Sequence, residues 1–169
     1  MNDPEHDERG FSLIELLIVV AIILIIAAIA IPNLLRARIA ANESSSAASE
    51  RTIATAEVSY YTSYPAVGFP ATVAILGGAA PCTPGVATGC LIDSQLSTGG
   101  KSGYVFTAAG LNPVNGANTQ FVSNGVPATL NTTGVKGFCG TEDNVVRFVS
   151  PAGAALAHDA CLALVPIGQ

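Results

Sequence analysis

The chain has 169 residues, of which half are hydrophobic and only 11% are charged, and its formal net charge is −5. This length allows one modest domain with an appendage, and the absence of any basic run or stripe argues against nucleic-acid binding. The acidity is concentrated in a leader formed by residues 1–10, MNDPEHDERG, which contains four acidic residues and only one basic residue, Arg9.

A long apolar segment follows this leader directly. Between Phe11 and Ile31 the only polar side chains are Ser12 and Glu15. A helix of that length rises about 30 Å, which is enough to cross the hydrocarbon core of a bilayer. A buried helix of a soluble protein would be shorter and two-faced, whereas this segment is apolar all round. The pattern therefore predicts a membrane-spanning helix.

A secretory signal peptide is the alternative for such a segment. Signal peptides have a positively charged start, a shorter apolar core and a small-residue cleavage site after that core. Here the leader is acidic, and the apolar run continues through Pro32 into LLRARIAANESSS without such a site. We therefore predict no cleavage after the apolar segment.

The junction before the apolar segment, GFSLIE at residues 10–15, resembles the prepilin signature of the type IV filament superfamily, which includes type IV pilins and type II secretion pseudopilins. The resemblance covers residues 10–39: a Gly before an aromatic residue, a Glu four residues after that aromatic, an unbroken apolar run and Pro32. It implies cleavage between Gly10 and Phe11 by a membrane aspartic peptidase, followed by N-methylation of Phe11. The chain would then be a substrate of that enzyme and not itself an enzyme.

The resemblance also implies partners and a location. The chain would polymerise with copies of itself, aided by an inner-membrane assembly platform and by motor ATPases, since it has no GxxxxGK[ST] loop of its own. It would lie in the inner membrane with a periplasmic head, and later in an extracellular pilus. The acidic leader, and Arg36 and Arg38 beyond the membrane segment, do not support this orientation by the positive-inside rule. The orientation rests instead on the cleavage signature and the cysteines.

Glu15 is an isolated carboxylate in an apolar segment, where burial in lipid is unfavourable unless the charge has a partner. Cleavage would give Phe11 a free amine, and Glu15 could pair with that amine on a neighbouring subunit, as the matching Glu does in the superfamily. The pairing would neutralise both charges and fix the stagger between helices. Alternatively, Glu15 reaches the headgroups near the helix end. We predict the register role, with Pro32 interrupting a helical hydrogen bond and allowing a kink.

The sequence after Pro32 contains no Gly and no other Pro before Pro65, and it is rich in Ala and other helix-compatible residues. We predict one helix over residues 11–64, with residues 11–31 in the membrane and the filament core. Large side chains at helical spacing form a stripe that would pack on a head domain, opposite a face of small alanines. The stripe contains Leu35, Ile39, Ile53, Tyr60 and Tyr64, and the alanines are Ala37, Ala41 and Ala48.

Residues 65–169, which we call the head, differ in composition from the helix and are rich in Gly, Pro, Thr, Asn and Val. Short β-type runs occur at 71–76, 103–108, 119–123 and 144–150, separated by the turn sequences STGGKSG, NPVNGAN and GTEDN. We predict an antiparallel sheet of about four strands packed on the long helix. The fold class is therefore α+β, which is also the fold that the resemblance implies.

Four cysteines lie in this head, at Cys82, Cys90, Cys139 and Cys161. Their even count favours two disulfides in an oxidising compartment. Free thiols in a reducing cytosol are one alternative. A metal site is another, less favoured because there is no CxxC pair and the two histidines are far apart. Of the three connectivities, local pairing is the simplest.

No motif in the head indicates catalysis or a cofactor. His158-Asp159 lacks a nucleophile motif, and sequence neighbours rarely face one another usefully. Glu142 and Asp143 read as a turn, and two acids without an EF-hand pattern are weak grounds for a calcium site. We predict no enzyme activity, no cofactor and no metal site.

Three functions are compatible with these patterns. A pilin subunit, whose filament would serve motility, adhesion or DNA uptake, is preferred. A type II secretion pseudopilin, building a short periplasmic pseudopilus, is the nearest alternative. The alternative from another functional class, which forms no filament, is a monomeric periplasmic binding domain anchored to the membrane by this helix.

Overall fold

The computed structural model describes residues 11–168. Two compact units divide between Ala37 and Arg38. The predicted α+β class is confirmed, since a long N-terminal helix is followed by an antiparallel sheet. In chain order the elements are α1 (Leu13–Ser63), α2 (Val73–Leu76), α3 (Ser94–Ser97), β1 (Gly100–Lys101), β2 (Tyr104–Val114), β3 (Ala117–Pro127), β4 (Gly137–Thr141), β5 (Arg147–Val149) and α4 (His158–Leu162).

Helix α1 contains 51 residues and continues through Pro32. In the first unit its apolar side chains are exposed, with Leu13 at 79% and Ile31 at 65% of their accessible surface. Its most apolar window has a mean hydropathy of 3.3 and no buried residue. By length and composition, this helix is able to cross a membrane.

The head is built on a five-stranded sheet in which the strands follow one another in sequence order, β1-β2-β3-β4-β5. Every neighbouring pair is antiparallel, so the sheet is a simple meander. The β2–β3 hairpin turns at Asn115 and Gly116, whose φ angles are 51° and 88°. Two successive positive φ values are typical of the type I′ turn, which suits the twist of a hairpin.

The sheet differs from the sequence prediction in four places. Residues 73–76 of the first predicted strand form α2, because Val73 and Leu76 are both buried at helical spacing. The hairpin is longer than predicted, since most of NPVNGAN is strand. Strand β4, with the sequence GFCGT, was not predicted: all its residues are buried, so it lacks the alternation that marks a half-exposed strand. Strand β1 lies within the predicted turn STGGKSG. With one predicted strand lost and β1 and β4 gained, the sheet has five strands instead of four.

In the second unit, α1 packs on the sheet through one buried face. Ile53 and Tyr60 are buried as the stripe predicted, and Tyr64 is partly buried against the same core. Ile39 is half-buried, and the prediction was wrong for Leu35, which is 44% exposed. The core is completed by side chains from the sheet and the short helices, including Leu76, Leu96, Tyr104, Phe106 and Phe138. Two glutamates that were not expected there, Glu50 and Glu57, are buried on the same face of α1.

Candidate processing and assembly site

The predicted cleavage junction lies at the edge of the described chain. Gly10 lies outside the described residues, whereas Phe11 and Ser12 precede α1 and are exposed. The phenyl ring of Phe11 retains 74% of its accessible surface. The aromatic side of the junction is therefore accessible in this structure.

Glu15 lies in the first turn of α1 and binds the backbone at the start of its own helix. The Ser12 N–H donates a hydrogen bond to Glu15 Oε2 at 2.9 Å, and Leu16 N–H donates to the Ser12 carbonyl at 3.2 Å. Ser12 occupies the N-cap and Glu15 the third helical position, so this contact is one half of a capping box. A negative charge is also favourable at this end of the helix dipole.

This capping role was missed in the sequence, although the signal was there. Ser12 and Glu15 fit the pattern of a Ser or Thr followed three residues later by a Glu or Gln, which marks a helix start. A lone carboxylate in an apolar segment points first to an intersubunit ion pair or to contact with lipid headgroups, and both interpretations leave the cap unexplained. The structure adds a third use for the carboxylate, inside one chain.

Pro32 lies within α1 and has no N–H group, so it cannot donate a hydrogen bond to the Ala28 carbonyl one turn earlier. The helix nevertheless continues on both sides of Pro32. Nearer the N-terminus, one face of the helix carries a shallow apolar groove. Its lining consists of Leu13, Leu16, Leu17, Val20, Ala21 and Leu24.

Two disulfides close loops in the head, and each joins two consecutive cysteines of the chain, in agreement with the local pairing that was the simplest prediction. Cys82 and Cys90, with Cα atoms 5.9 Å apart, close the exposed loop after α2. Tyr60 Oη donates to the Val86 carbonyl in that loop at 2.6 Å. Cys139 and Cys161, 6.0 Å apart between Cα atoms, join β4 to α4, and both are fully buried. No free cysteine occurs in residues 11–168.

His158 corrects an expectation from the sequence, because it does contact its neighbour Asp159. His158 Nδ1 lies 2.9 Å from Asp159 Oδ1, and His158 Nε2 lies 2.9 Å from the carboxylate of Glu142. The hydrogen bond to Asp159, followed by the interactions with Glu142, raises the pKa of His158 above 6.5. This contact holds the N-terminus of α4 against the turn after β4.

The negative charge of Asp143, in the predicted turn after β4, is paired with the positive charge of Arg147. Its carboxylate accepts hydrogen bonds from both terminal nitrogens of Arg147 and from the backbone N–H of Val145 at 3.0 Å. The hydrogen bond from Arg147 lowers the pKa of Asp143 to about 2. Across the described part of the chain, no cluster of three or more His, Cys, Asp or Glu side chains could hold a metal ion.

Comparisons with known proteins bear on the N-terminal segment. Residues 6–31 match a family model described as the prokaryotic N-terminal methylation motif. A 38-residue stretch is 67% identical to the type IV wide pilus major component PilA4 of Thermus thermophilus, covering 22% of this chain and 29% of that protein. No solved structure matches the chain.

These matches identify the class of the N-terminal segment. It is a prepilin-type methylation segment, and the resemblance to type IV pilins read from the sequence is confirmed there. The chain spans less than a third of the length of the curated pilus component that it matches.

Proposed function

We propose that the chain is a structural subunit of a type IV pilus. In this proposal the leader is removed between Gly10 and Phe11, Phe11 is N-methylated, and copies of the chain polymerise into a helical filament. The observation that carries the proposal is the coincidence of the methylation motif, at residues 6–31, with a helix whose apolar side chains are exposed on all sides. Such a helix needs lipid or other helices around it, and a filament core supplies the second environment.

The head would form the filament surface, and its chemistry supports an oxidising location. Two disulfides stabilise the head, and disulfides persist in the periplasm and outside the cell but rarely in the cytosol. We therefore place the chain in the inner membrane with a periplasmic head before assembly and in an extracellular pilus afterwards. Its partners would be its own copies, the prepilin peptidase and methyltransferase, the assembly platform and the motor ATPases.

In the assembled filament, Glu15 would leave its own helix terminus and pair with the methylated amine of Phe11 on a neighbouring subunit. Within the single chain, the Glu15 carboxylate already has a partner in the Ser12 N–H. The exchange would replace one charge-assisted hydrogen bond with an ion pair between two otherwise unpaired charges. Pairing in only one register would fix the axial stagger of the helices.

The intact mass of the chain from filaments sheared off cells tests this proposal. We expect a mass that lacks Met1–Gly10, gains one methyl group and lacks four hydrogens for the two disulfides. An uncleaved chain would refute the filament proposal and leave a membrane-anchored binding domain. A processed chain found only in the envelope fraction would instead favour a secretion pseudopilin.

A further inference from the structure

Two carboxyl groups are buried where α1 meets the sheet of the head. Glu50 and Glu57 lie two helical turns apart on one face of α1, and neither side chain is exposed to solvent. A buried carboxylate is strongly unfavourable without a cationic partner or several hydrogen bonds. Arg51 follows Glu50 in sequence but lies on the exposed side of the helix. Neither glutamate has a salt-bridge partner within residues 11–168.

The sheet contains a recess for the carboxyl group of Glu50. Ser123 Oγ in β3 donates a hydrogen bond to Glu50 Oε2 at 2.7 Å. A Cβ placed on Gly125 would lie 3.1 Å from Glu50 Oε1, and one placed on Gly140 would lie 3.8 Å from Oε2. A larger residue at Gly125 would therefore crowd the carboxyl group, whereas a Cβ on Gly140 would meet the carboxyl group only at van der Waals distance and would lie 3.1 Å from Ser123 Oγ, its hydrogen-bond donor. The room for the Glu50 head group therefore depends on Gly125 in β3, and the position of its donor Ser123 is tight against Gly140 in β4.

Several polar atoms in this interior have no hydrogen-bond partner among the described residues. They are Glu50 Oε1, both carboxyl oxygens of Glu57, and Ser46 Oγ. Ser46 Oγ faces the same glycine as Glu50 Oε1, since a Cβ on Gly125 would lie 2.9 Å from it. An ionised carboxylate in these surroundings would lack the donors that it needs, whereas a neutral carboxyl group is far easier to bury.

The groups that face the two carboxyls do not offer a positive charge. On α1 the titratable neighbours of the two carboxyls are the other glutamate and Tyr60. A charge on Glu50 disfavours ionisation of Glu57, and the phenol of Tyr60, whose pKa is raised, carries no positive charge. Phe106, from β2, and Glu50 both approach Gly125. The basic side chains of the sheet and its connections are engaged elsewhere: Lys101 pairs with Asp93, Lys136 with Glu43 and Arg147 with Asp143.

We propose that Glu50 and Glu57 bind protons in the folded head and make the attachment of α1 to the sheet sensitive to alkaline pH. The physical cause is burial: desolvation raises the pKa of each carboxyl from 4.5 to about 8, and their mutual repulsion adds to the shift for Glu57. The folded head therefore binds more protons than the unfolded chain between these two values. Its stability is complete below 4.5 and is lost as the pH rises through about 8.

Infrared spectroscopy of the full chain in detergent micelles tests the protonation directly and needs no variant. We expect the C=O stretch of protonated carboxyl groups at pH 7, where exposed Asp and Glu side chains are ionised, and its loss well above the folded-state pKa of about 8. Absence of this band at pH 7 in the folded chain would overturn the proposal.

Unfolding at different pH values tests the consequence. With both sites protonated, the unfolding equilibrium constant should rise by up to about a hundredfold per pH unit above the unfolded-state pKa, and by about tenfold with one site. Glu50→Gln keeps the shape of the side chain, and it should reduce the pH dependence of the unfolding equilibrium constant from about a hundredfold to about tenfold per pH unit. The double variant with Glu57→Gln should lose this pH dependence. Glu43→Gln, which alters a half-buried side chain paired with Lys136, is the matched control and should keep the slope. An unchanged slope in the double variant would contradict the proposal.

The difference between the wild-type slope and the double-variant slope isolates the glutamates from other titrations. His158 also has a raised pKa, so the unfolded chain loses this proton first and His158 adds to the slope with the same sign near pH 6.5. The pKa values of Asp93 and Asp143 are lowered by their hydrogen bonds, so these carboxylates add no slope of this sign. The part of the slope that Glu50→Gln and Glu57→Gln together remove therefore reports on the buried carboxyl groups.

Discussion

At the scale of single residues, His158 contacts two carboxylates at once, Glu142 and Asp159. Both ring nitrogens lie 2.9 Å from carboxylate oxygens, and only the doubly protonated imidazolium donates from both nitrogens. The hydrogen bond to Asp159 contributes most to the raised pKa. The Asp159 side chain is 97% exposed, however, against 31% for Glu142. Solvent screening therefore leaves Glu142 as the partner that matters more for stability.

We expect the ring of His158 to titrate with a pKa above 6.5 in an NMR titration of the folded chain. Because the folded-state pKa is raised, the stabilisation is complete below 6.5 and is lost as the pH rises through the raised value. Glu142→Gln should lower the free energy of unfolding at pH 6 by about 1–2 kcal/mol. Asp159→Asn, at the exposed partner, should lower it by less than about 1 kcal/mol. A titration midpoint at or below 6.5 would contradict the imidazolium assignment.

At the scale of elements, the segment after α1 is fixed to the edge of the hairpin by backbone contacts. Phe69 N–H donates to the Asn118 carbonyl and Asn118 N–H to the Val67 carbonyl, both at 3.0 Å. Asn118 Nδ2 also donates to the Phe69 carbonyl at 2.8 Å. Gly68, between these bonds, has a φ of 78°, and a Cβ there would lie within 2.4 Å of backbone atoms of Asn118. Only glycine fits both the conformation and the space.

Gly68 and Gly116 form a matched pair for testing this connection. Both have a positive φ, but a Cβ on Gly116 would meet no atom within 4 Å. Gly116→Ala should therefore lower the free energy of unfolding by only about 1 kcal/mol, the conformational term alone. Gly68→Ala adds a backbone collision and should lower it by about 3 kcal/mol or more. Chemical unfolding of both variants measures the difference, and equal effects would show that the contact with Asn118 is not rigid.

Elements whose pattern of apolar and polar residues is set within the element itself could be predicted from the sequence. Elements whose burial depends on distant parts of the chain could not. The long helix follows from composition over residues 11–64, and Ile53 and Tyr60 are buried as helical spacing indicated. Strand β4 was not visible in the sequence, because its burial on both faces depends on α1 and α4. The run at residues 71–76 has β-type residues, but two buried side chains three positions apart made it a helical turn instead.

The two buried glutamates are a clearer example of burial that depends on residues far away in the sequence. Nothing in the sequence around Glu50 and Glu57 indicates that they are buried, because charged residues are seldom buried without a partner. The space for Glu50 depends on Gly125, which lies 75 residues further along the chain. No local pattern connects these positions. By contrast, the capping contact of Glu15 spans three residues and was predictable in principle.

At the scale of the whole molecule, the proposed filament requires one carboxylate to serve two states. Before assembly, Glu15 accepts a hydrogen bond from its own Ser12 N–H. After cleavage and assembly it would face the amine of Phe11 on another subunit. The first role needs only a hydrogen-bond acceptor, which a Gln supplies equally well in a capping box. The second role needs a negative charge, because the partner is a cation.

Comparing Glu15→Gln with Glu15→Ala therefore separates capping from charge pairing. If the intersubunit ion pair directs assembly, both variants should be processed at Gly10-Phe11 yet yield at least about tenfold fewer sheared filaments, since losing an ion pair removes more than about 1.4 kcal/mol per contact. If capping is the essential role, Glu15→Gln should assemble normally and only Glu15→Ala should fail. A monomeric membrane anchor would be unaffected by either change. Filament yield should be normalised to the processed chain in the membrane, so that a defect in cleavage is not counted as a defect in assembly.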